Sequence, residues 1–340
     1  MKIQRQIKIH VPPGQTKLRI DKYLANHIEN SSRTKIQKAI EQKCISVNLK
    51  IVKSNYIVQP NDTIEIFLPE VEEEREIVPE NIPLDILFQD EYLIVVNKPA
   101  GMVTHPAYRN NSGTLVNALL YHIRNNKSGL SNLNGIERAG IVHRLDKNTS
   151  GILVVAKDED THRKLSKLFS KHDIEREYWA LCWGKFLQKE GIIEKSLGRS
   201  QKDRKKVVVK VDGKTAVTHF EVLKEYEYLS LVKLNLKTGR THQIRVHMHS
   251  VGHPVFGDPD YEGRKAHGVP LTNRTKTEIK ELLDIIPRQA LHAKLLGFIH
   301  PITNKRMVFE SDFPDDIKNL IEKVEMFYQM EKQNLFKSFT

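Results

Sequence analysis

Cysteine is nearly absent. The two present, Cys44 and Cys182, stand far apart with neither a CxxC pair nor zinc-finger spacing, which excludes a disulfide framework and a structural zinc and leaves both as small buried side chains. Long apolar runs are missing too: nothing approaches the roughly 18 consecutive apolar residues of a membrane span. Met1-Lys2-Ile3-Gln4-Arg5 also lacks the apolar core of a signal peptide, so a soluble, cytoplasmic chain with no membrane partner is expected. No GxGxxG and no P-loop signature occurs, which argues against a nucleotide cofactor. Acidic residues are in deficit, 42 against 54 Lys and Arg, a formal charge of +12. That balance favours a polyanionic partner, and by charge alone RNA, DNA and anionic membrane remain open. No solenoid-length repeat is present, and 340 residues with 39% apolar content supply one sizeable core plus an accessory module.

The accessory module is read at the N-terminus. Leu18 to Ile28 predicts a helix with Ile20, Leu24 and Ile28 on one stripe, and Ser31-Ser32 offers an N-cap for a second helix carrying Ile36, Ala39 and Ile40 inward. Arg33, Lys35 and Lys38 fall off that stripe and predict a basic, solvent-facing edge for RNA, although an ordinary solvated helix face carries similar charge. Ile45-Ser46-Val47-Asn48 and Ile64-Glu65-Ile66 alternate as strands. This segment resembles an S4 RNA-binding domain, with one departure: where that pattern turns on Val-Asn-Gly, this chain has Val47-Asn48-Leu49. Pro69 to Glu76 is acidic and reads as linker. The expected division is an S4-like α/β domain at 1–68, an acidic linker at 69–83, a larger domain at 84–331 and a fraying tail at 332–340.

In the larger domain, strand-like Ile86-Leu87-Phe88 and Leu93-Ile94-Val95-Val96 alternate with helical Leu115 to Arg124 and Thr161 to Ser170, predicting a mixed α and β core. His122 to Ile136 and Gly263 to Thr277 read as polar surface loops, and Ile317, Leu320, Ile321 and Val324 form a helical stripe after Pro314-Asp315. The most specific run is Ile141-Val142-His143-Arg144-Leu145-Asp146-Lys147-Asn148-Thr149-Ser150-Gly151, which sets one carboxylate among cations and closes on turn-forming residues before an apolar strand. Downstream, Thr241 reads as the N-cap and Gly252 as the C-cap of a helix that turns Ile244, Met248 and Val251 inward and gathers His242, Arg245 and His249 on another face. Arg176 to Gly184 reads as a strand with Tyr178, Ala180 and Cys182 facing one way.

These blocks resemble the RNA pseudouridine synthases of the RluA/RluD type. The likeness rests on the Asp146 loop, on Asn97-Lys98-Pro99-Ala100-Gly101 with His105-Pro106, on Glu177-Tyr178, and on Gly239-Arg240-Thr241-His242-Gln243-Ile244-Arg245. Gly252-His253-Pro254, Gly257-Asp258-Pro259 and Arg288-Gln289-Ala290-Leu291-His292-Ala293 are similar to the family as well. It implies an α+β fold whose catalytic domain has a mixed, largely antiparallel sheet with flanking helices. It implies no cofactor and no metal, and action on large-subunit ribosomal RNA or a pre-ribosomal particle; nothing in the sequence suggests an obligate dimer, so a monomer is expected. Asp146 is then the catalytic carboxylate, Arg144 replaces the extruded uridine in the RNA stack, Tyr178 stacks on the uracil, and Arg245 pairs with Asp146. His143, Leu145, Ile244 and Arg240 fall among the substrate-contacting residues. His143 reads equally well as a satisfied structural histidine.

The implied isomerisation breaks the C1′–N1 bond, turns the uracil and joins C1′ to C5, so one carboxylate suffices where a glycosidase needs two. An isolated Asp among cations ordinarily makes only a surface ion pair, and the surrounding motif reverses that reading. The main rival is a metal-dependent hydrolase built on His242, His247, His249, His253, Asp258 and Asp260. Helical spacing opposes it, because His247 and His249 at i, i+2 point apart. A non-catalytic S4-type RNA-binding assembly factor is the second rival.

Overall fold

The computed structural model describes residues 3–28, 31, 33–69, 77–106, 110–124, 129–204 and 206–338, and the chain divides into two units, Met1–Glu76 and Ile77–Thr340. The first unit runs β1 (Ile3–His10), β2 (Leu18–Arg19), α1 (Ile20–His27), α2 (Arg33–Glu41), β3 (Ile45–Val47), β4 (Lys50–Ile51), β5 (Ile57–Val58) and β6 (Thr63–Pro69). Strands pair in the order β1-β6-β3-β4, with β2 against β5, all antiparallel. Ile20, Leu24, Ile36 and Ile40 bury their stripes against Ile45, Val47, Ile64 and Ile66, as the periodicities require. The first helix starts at Ile20 rather than Leu18, because Leu18 and Arg19 are drawn into a ladder with Val58 and Ile57.

Two details of this unit bear on RNA binding. Arg33 and Lys38 are exposed, but Arg33 Nε also binds Asp21 Oδ2 at 2.9 Å, so it is not a free edge cation. The Lys35 side chain, Ser32 and the acidic residues 70–76 lie outside the described residues. Asp21 is fully buried; burial would raise its carboxyl, yet hydrogen bonds from Arg33, Gln37 and Arg19 hold it at about 2. The Val47-Asn48-Leu49 turn is a two-residue hairpin joining β3 to β4, with Asn48 at φ 48° and Leu49 at φ 66°. Leu49 thus occupies a left-handed position that suits glycine.

The second unit contains β7 (Asp85–Gln89), β8 (Leu93–Lys98), α3 (Leu115–Ile123), β9 (Ser150–Ala156), α4 (Glu159–Lys171), β10 (Glu175–Trp183), β11 (Glu190–Glu194), β12 (Leu197–Arg199) and β13 (Val207–Val209). It continues through β14 (Val217–Glu225), β15 (Leu229–Leu236), α5 (Gln243–Ser250), α6 (Asn273–Ile285), β16 (Leu291–Ile299), β17 (Arg306–Glu310) and α7 (Asp315–Ser338). Its main sheet has the order β11-β14-β15-β10-β16-β9-β8-β7 with β17 on β16, and every pairing is antiparallel except β16 with β9. The expected mixed, largely antiparallel sheet is therefore present. One face buries Leu153, Val155, Tyr178, Ala180, Cys182, Val232 and Leu234 under α3 and α5. The other buries Leu181, Trp183 and Leu229 under Leu282 of α6 and Ile317, Leu320 and Val324 of α7.

Several expectations change. The segment read as a polar loop at Gly263 to Thr277 becomes helix from Asn273, where the Thr275 N–H donates to Thr272 Oγ1 at 3.1 Å as an N-cap. The tail read as fraying from Lys332 continues α7 to Ser338. Cys44 and Cys182 are free and buried. Among the described residues, no helix is long and apolar enough to cross a membrane.

Candidate active site

The Asp146 loop runs into β9, and neighbouring blocks grip it from several sides. Thr104 Oγ1 donates to the Leu145 carbonyl at 3.0 Å, the Gly101 N–H to the Lys147 carbonyl at 2.9 Å, and Arg288 Nη1 to the Asn148 carbonyl at 2.9 Å. Lys98 is wholly buried and spends its ammonium on the carbonyls of Pro99, Met102 and Lys147. Burial pulls that ammonium down to about 7, with Arg288 adding to the fall and Asp146 opposing it. Gly151 permits the close parallel pairing of β9 with β16, since a Cβ there would sit 2.3 Å from the Ala293 carbonyl oxygen. Two of the other blocks that carry the family likeness, Asn97–Gly101 and Arg288–Ala293, thus meet at the Asp146 loop.

His143 is turned into this scaffold. Its Nε2 accepts the Val154 N–H at 3.0 Å and its ring stacks on Phe169 at 4.4 Å. Burial, reinforced by Arg176, holds the imidazole down at about 3, so it is neutral. Asp146 itself is about one-fifth exposed at its side chain. It lies on a cavity of about 550 Å³ lined also by Arg144, Leu145, Tyr178, Arg240, His242, Ile244 and Arg245. Leu145 and Ile244 supply buried apolar wall, and Arg144 and Arg240 are exposed. Arg240 Nε donates to the Thr215 carbonyl at 3.1 Å.

Arg245 meets Asp146 at Nη1–Oδ2 3.4 Å, but this is its longest ion pair. Nε and Nη2 form a bidentate pair with buried Asp258 at 2.7 and 2.8 Å, and Nη2 also binds Asp260 at 2.6 Å. Burial opposes the charge on this guanidinium, but Asp258, Asp146 and Asp260 together push its pKa up. Asp258 Oδ1 further accepts the N–H groups of Asp260 and Tyr261 at 2.9 and 3.2 Å. Sequence reasoning grouped Asp258 and Asp260 only as metal-ligand candidates and missed this function. Gly257-Asp258-Pro259 was the available signal.

Helix α5 begins differently from expectation. Its N-cap is His242, at φ 55° without a side-chain cap, rather than Thr241. The Gln243 side chain ties the entry loop instead, accepting from Thr238 Oγ1 and the Arg240 N–H and donating to the Val217 carbonyl and Thr218. Gly252, at φ 86°, follows the C-cap Val251, and its N–H and that of His253 close onto the carbonyls of His249 and Met248. Val251 is exposed rather than inward. His242 faces the cavity: Nε2 is 3.8 Å from Asp146 Oδ2, and Nδ1 is 2.8 Å from the Tyr261 hydroxyl. Tyr261 in turn accepts the Val207 N–H at 3.1 Å. We assign the hydroxyl proton to Nδ1, the arrangement that sets the Nε2–H of His242 toward Asp146.

Tyr178 lies at the cavity floor, 9% exposed; burial pushes its phenol up to about 12, Arg176 opposing and Asp146 reinforcing the rise. The histidine and aspartate cluster does not assemble a metal site. His247 bonds Thr218 and the Lys195 carbonyl, His253 bonds the Trp183 carbonyl, His249 reaches Glu262, and Arg245 occupies Asp258 and Asp260. Among the described residues no group of three or more His, Cys, Asp or Glu is placed to hold a metal.

Residues 92–250 match the family model for RNA pseudouridylate synthase, and residues 18–64 match that for the S4 domain. An uncharacterized RNA pseudouridine synthase of Bacillus subtilis is 42% identical over 94% of this chain and 98% of its own length. Ribosomal large subunit pseudouridine synthase D of Zymomonas mobilis is 42% identical over 89% and 93%. The structure of human RNA pseudouridylate synthase domain containing 4 shares the fold at a TM-score of 0.54 and 24% identity, over 71% of this chain and 93% of that one. With its loop, guanidinium and phenol gathered on one cavity and its relatives matched along nearly their whole length, the chain belongs to the RNA pseudouridine synthase family, isomerases that act on RNA.

Proposed function

We propose that this enzyme isomerises uridines of large-subunit ribosomal RNA, with Asp146 as its catalytic carboxylate. The observation that carries the reading is that Asp146 is the one carboxylate lining the cavity among the described residues. A lone acid suits a reaction in which the leaving base is also the nucleophile that returns, because no water has to be activated. Large-subunit RNA as substrate rests on the naming of the synthase D relatives. An S4 unit at 1–68, followed by a linker to residue 83 whose last part from Ile77 packs on the core of the larger unit, adds RNA affinity through its basic helix.

The uridine is extruded from its RNA stack, and Arg144, planar and exposed at the cavity mouth, takes the vacated position. The base enters between Tyr178 and the apolar wall of Leu145 and Ile244, with His143 and Arg240 contributing to the surrounding surface. While the C1′–N1 bond breaks, Asp146 either attacks C1′, to be displaced when C5 bonds there, or takes the 2′ proton, to return it as that bond forms. The uracil turns and C5 bonds to C1′; C5 then loses its proton and N1 gains one. Since Tyr178 is a phenol throughout the working pH range, it can accept the C5 proton only while passing on its own.

The test is release of hydrogen from RNA carrying C5-labelled uridine. Asp146→Asn is expected to abolish release and to leave RNA affinity within a few-fold of wild type. Sustained turnover by that variant rejects the assignment.

A further inference from the structure

Arg176 is the cavity guanidinium that is buried, at 8% exposure, and has no carboxylate partner among the described residues. Nη2 donates to the Leu236 carbonyl at 3.1 Å, and Nε is buried without any partner. An Arg carries five N–H donors, and leaving a desolvated one so poorly matched costs stability that an apolar side chain would not. The other cavity arginines differ: Arg245 is saturated by carboxylates, and Arg144 and Arg240 reach solvent. Arg176 stands two residues before Tyr178 on β10, so both side chains project from the same face of the strand into the same cavity. Its charge already acts on the Tyr178 phenol, against the effect of burial.

We propose that Arg176 is a further catalytic residue, whose unmatched guanidinium binds the carbonyl edge of the flipped uracil and stabilises the negative charge that the base carries while detached. This rests on the pseudouridine synthase reading given above. When C1′–N1 breaks, the bonding pair leaves with N1 and is delocalised onto the uracil oxygens. The same anion then donates a pair from C5 to C1′, and the proton lost at C5 is matched by one gained at N1, so no co-reactant is required. A cation fixed in a site shielded from water favours that charge most while the bond is open, which lowers the barrier rather than tightening ground-state binding. A backbone phosphate is the less fitting occupant. Arg176 is buried beside Tyr178, where the extruded base goes, whereas the exposed Arg144 and Arg240 are the cations a phosphate meets first.

The test uses the full-length protein, a large-subunit ribosomal RNA transcript, and the variants Arg176→Met and Arg176→Lys. Single-turnover rates are measured beside RNA affinity. Arg176→Met is expected to slow the chemical step on the order of a hundredfold, with affinity within about twofold and Arg176→Lys intermediate. A second transcript carries 5-fluorouridine, whose base is the more stable anion, and cleavage of its glycosidic bond is followed. The loss caused by either substitution should shrink markedly there, since less charge stabilisation is needed from the protein. Equal losses on both transcripts overturn the proposal in favour of a packing role, and weaker affinity with a flatter salt dependence overturns it in favour of a phosphate contact. If Arg176→Met does not fold, Arg176→Lys carries the same comparison. A wild-type protein that releases no C5 hydrogen rejects the parent reading before any variant is compared.

Discussion

Arg245 is shared unequally between its acids, and on the proposed mechanism that inequality leaves Asp146 free to react. A carboxylate locked in a tight bidentate pair is a poor nucleophile and a poor base, because its lone pairs are engaged. Here Asp258 takes the bidentate geometry, and Asp146 is left with a single longer contact at 3.4 Å. Asp258→Asn removes the charge but keeps the shape. The guanidinium is then expected to move onto Asp146, lowering kcat by at least tenfold while RNA affinity holds. Because a buried cation loses its main partner, a stability loss of about 3 kcal/mol should accompany this in thermal melts. Unchanged kcat alongside lowered stability would limit Asp258 to a structural role. Asp146 and Arg245 were legible in the sequence because each sits in a contiguous, chemically unusual run. The pairing of Asp258 with Arg245, and the lack of any acid opposite Arg176 among the described residues, arise only when α5, β10 and the Gly257–Pro259 turn are brought together, which no local spacing encodes.

Elements were legible where one face is apolar and the period is clean. Strand β10 alternates from Arg176 to Cys182, and the α1 and α2 stripes bury as their spacing requires. Helix α6 was not legible, since only Ile279 and Leu282 of its apolar residues are well buried within a polar, charged segment, and tertiary contact with α7 decides its state. The start of α5 was misread because Thr241 has a capping side chain, whereas the Gln243 amide satisfies the entry loop and leaves the left-handed residue at His242. The β3–β4 hairpin shows another case, a departure in sequence at a turn that still closes in two residues. Leu49 keeps the left-handed turn at φ 66° while 83% exposed, so it gains little from packing against the strain. Leu49→Gly should stabilise this hairpin by about 0.5–1 kcal/mol, the relief of strain exceeding the added freedom of the unfolded chain. Hydrogen exchange of the β3–β4 amides should slow roughly two- to fivefold in consequence; faster exchange in the variant would show that the leucine side chain holds the turn.

At the scale of the whole molecule the formal charge of +12 sets how strongly a polyanion is attracted, while the placement of individual cations sets which of them matter. Arg33, Lys35 and Lys38 look equivalent in sequence, but Arg33 is held by Asp21, a buried acid that also engages Arg19 and Gln37. Replacing Arg33 therefore mixes a folding defect with any weakening of RNA binding, and the interpretable variant is Lys35→Ala with Lys38→Ala. A lysine that no longer neutralises a phosphate no longer displaces its counterion, so the slope of log affinity against log salt should become shallower by about 0.7–0.9 per lysine. If these lysines act on association alone, the chemical step in RNA already bound should keep its rate. A slope unchanged by the double substitution would remove this helical edge from the RNA-binding surface and leave phosphate neutralisation to other cations of the chain.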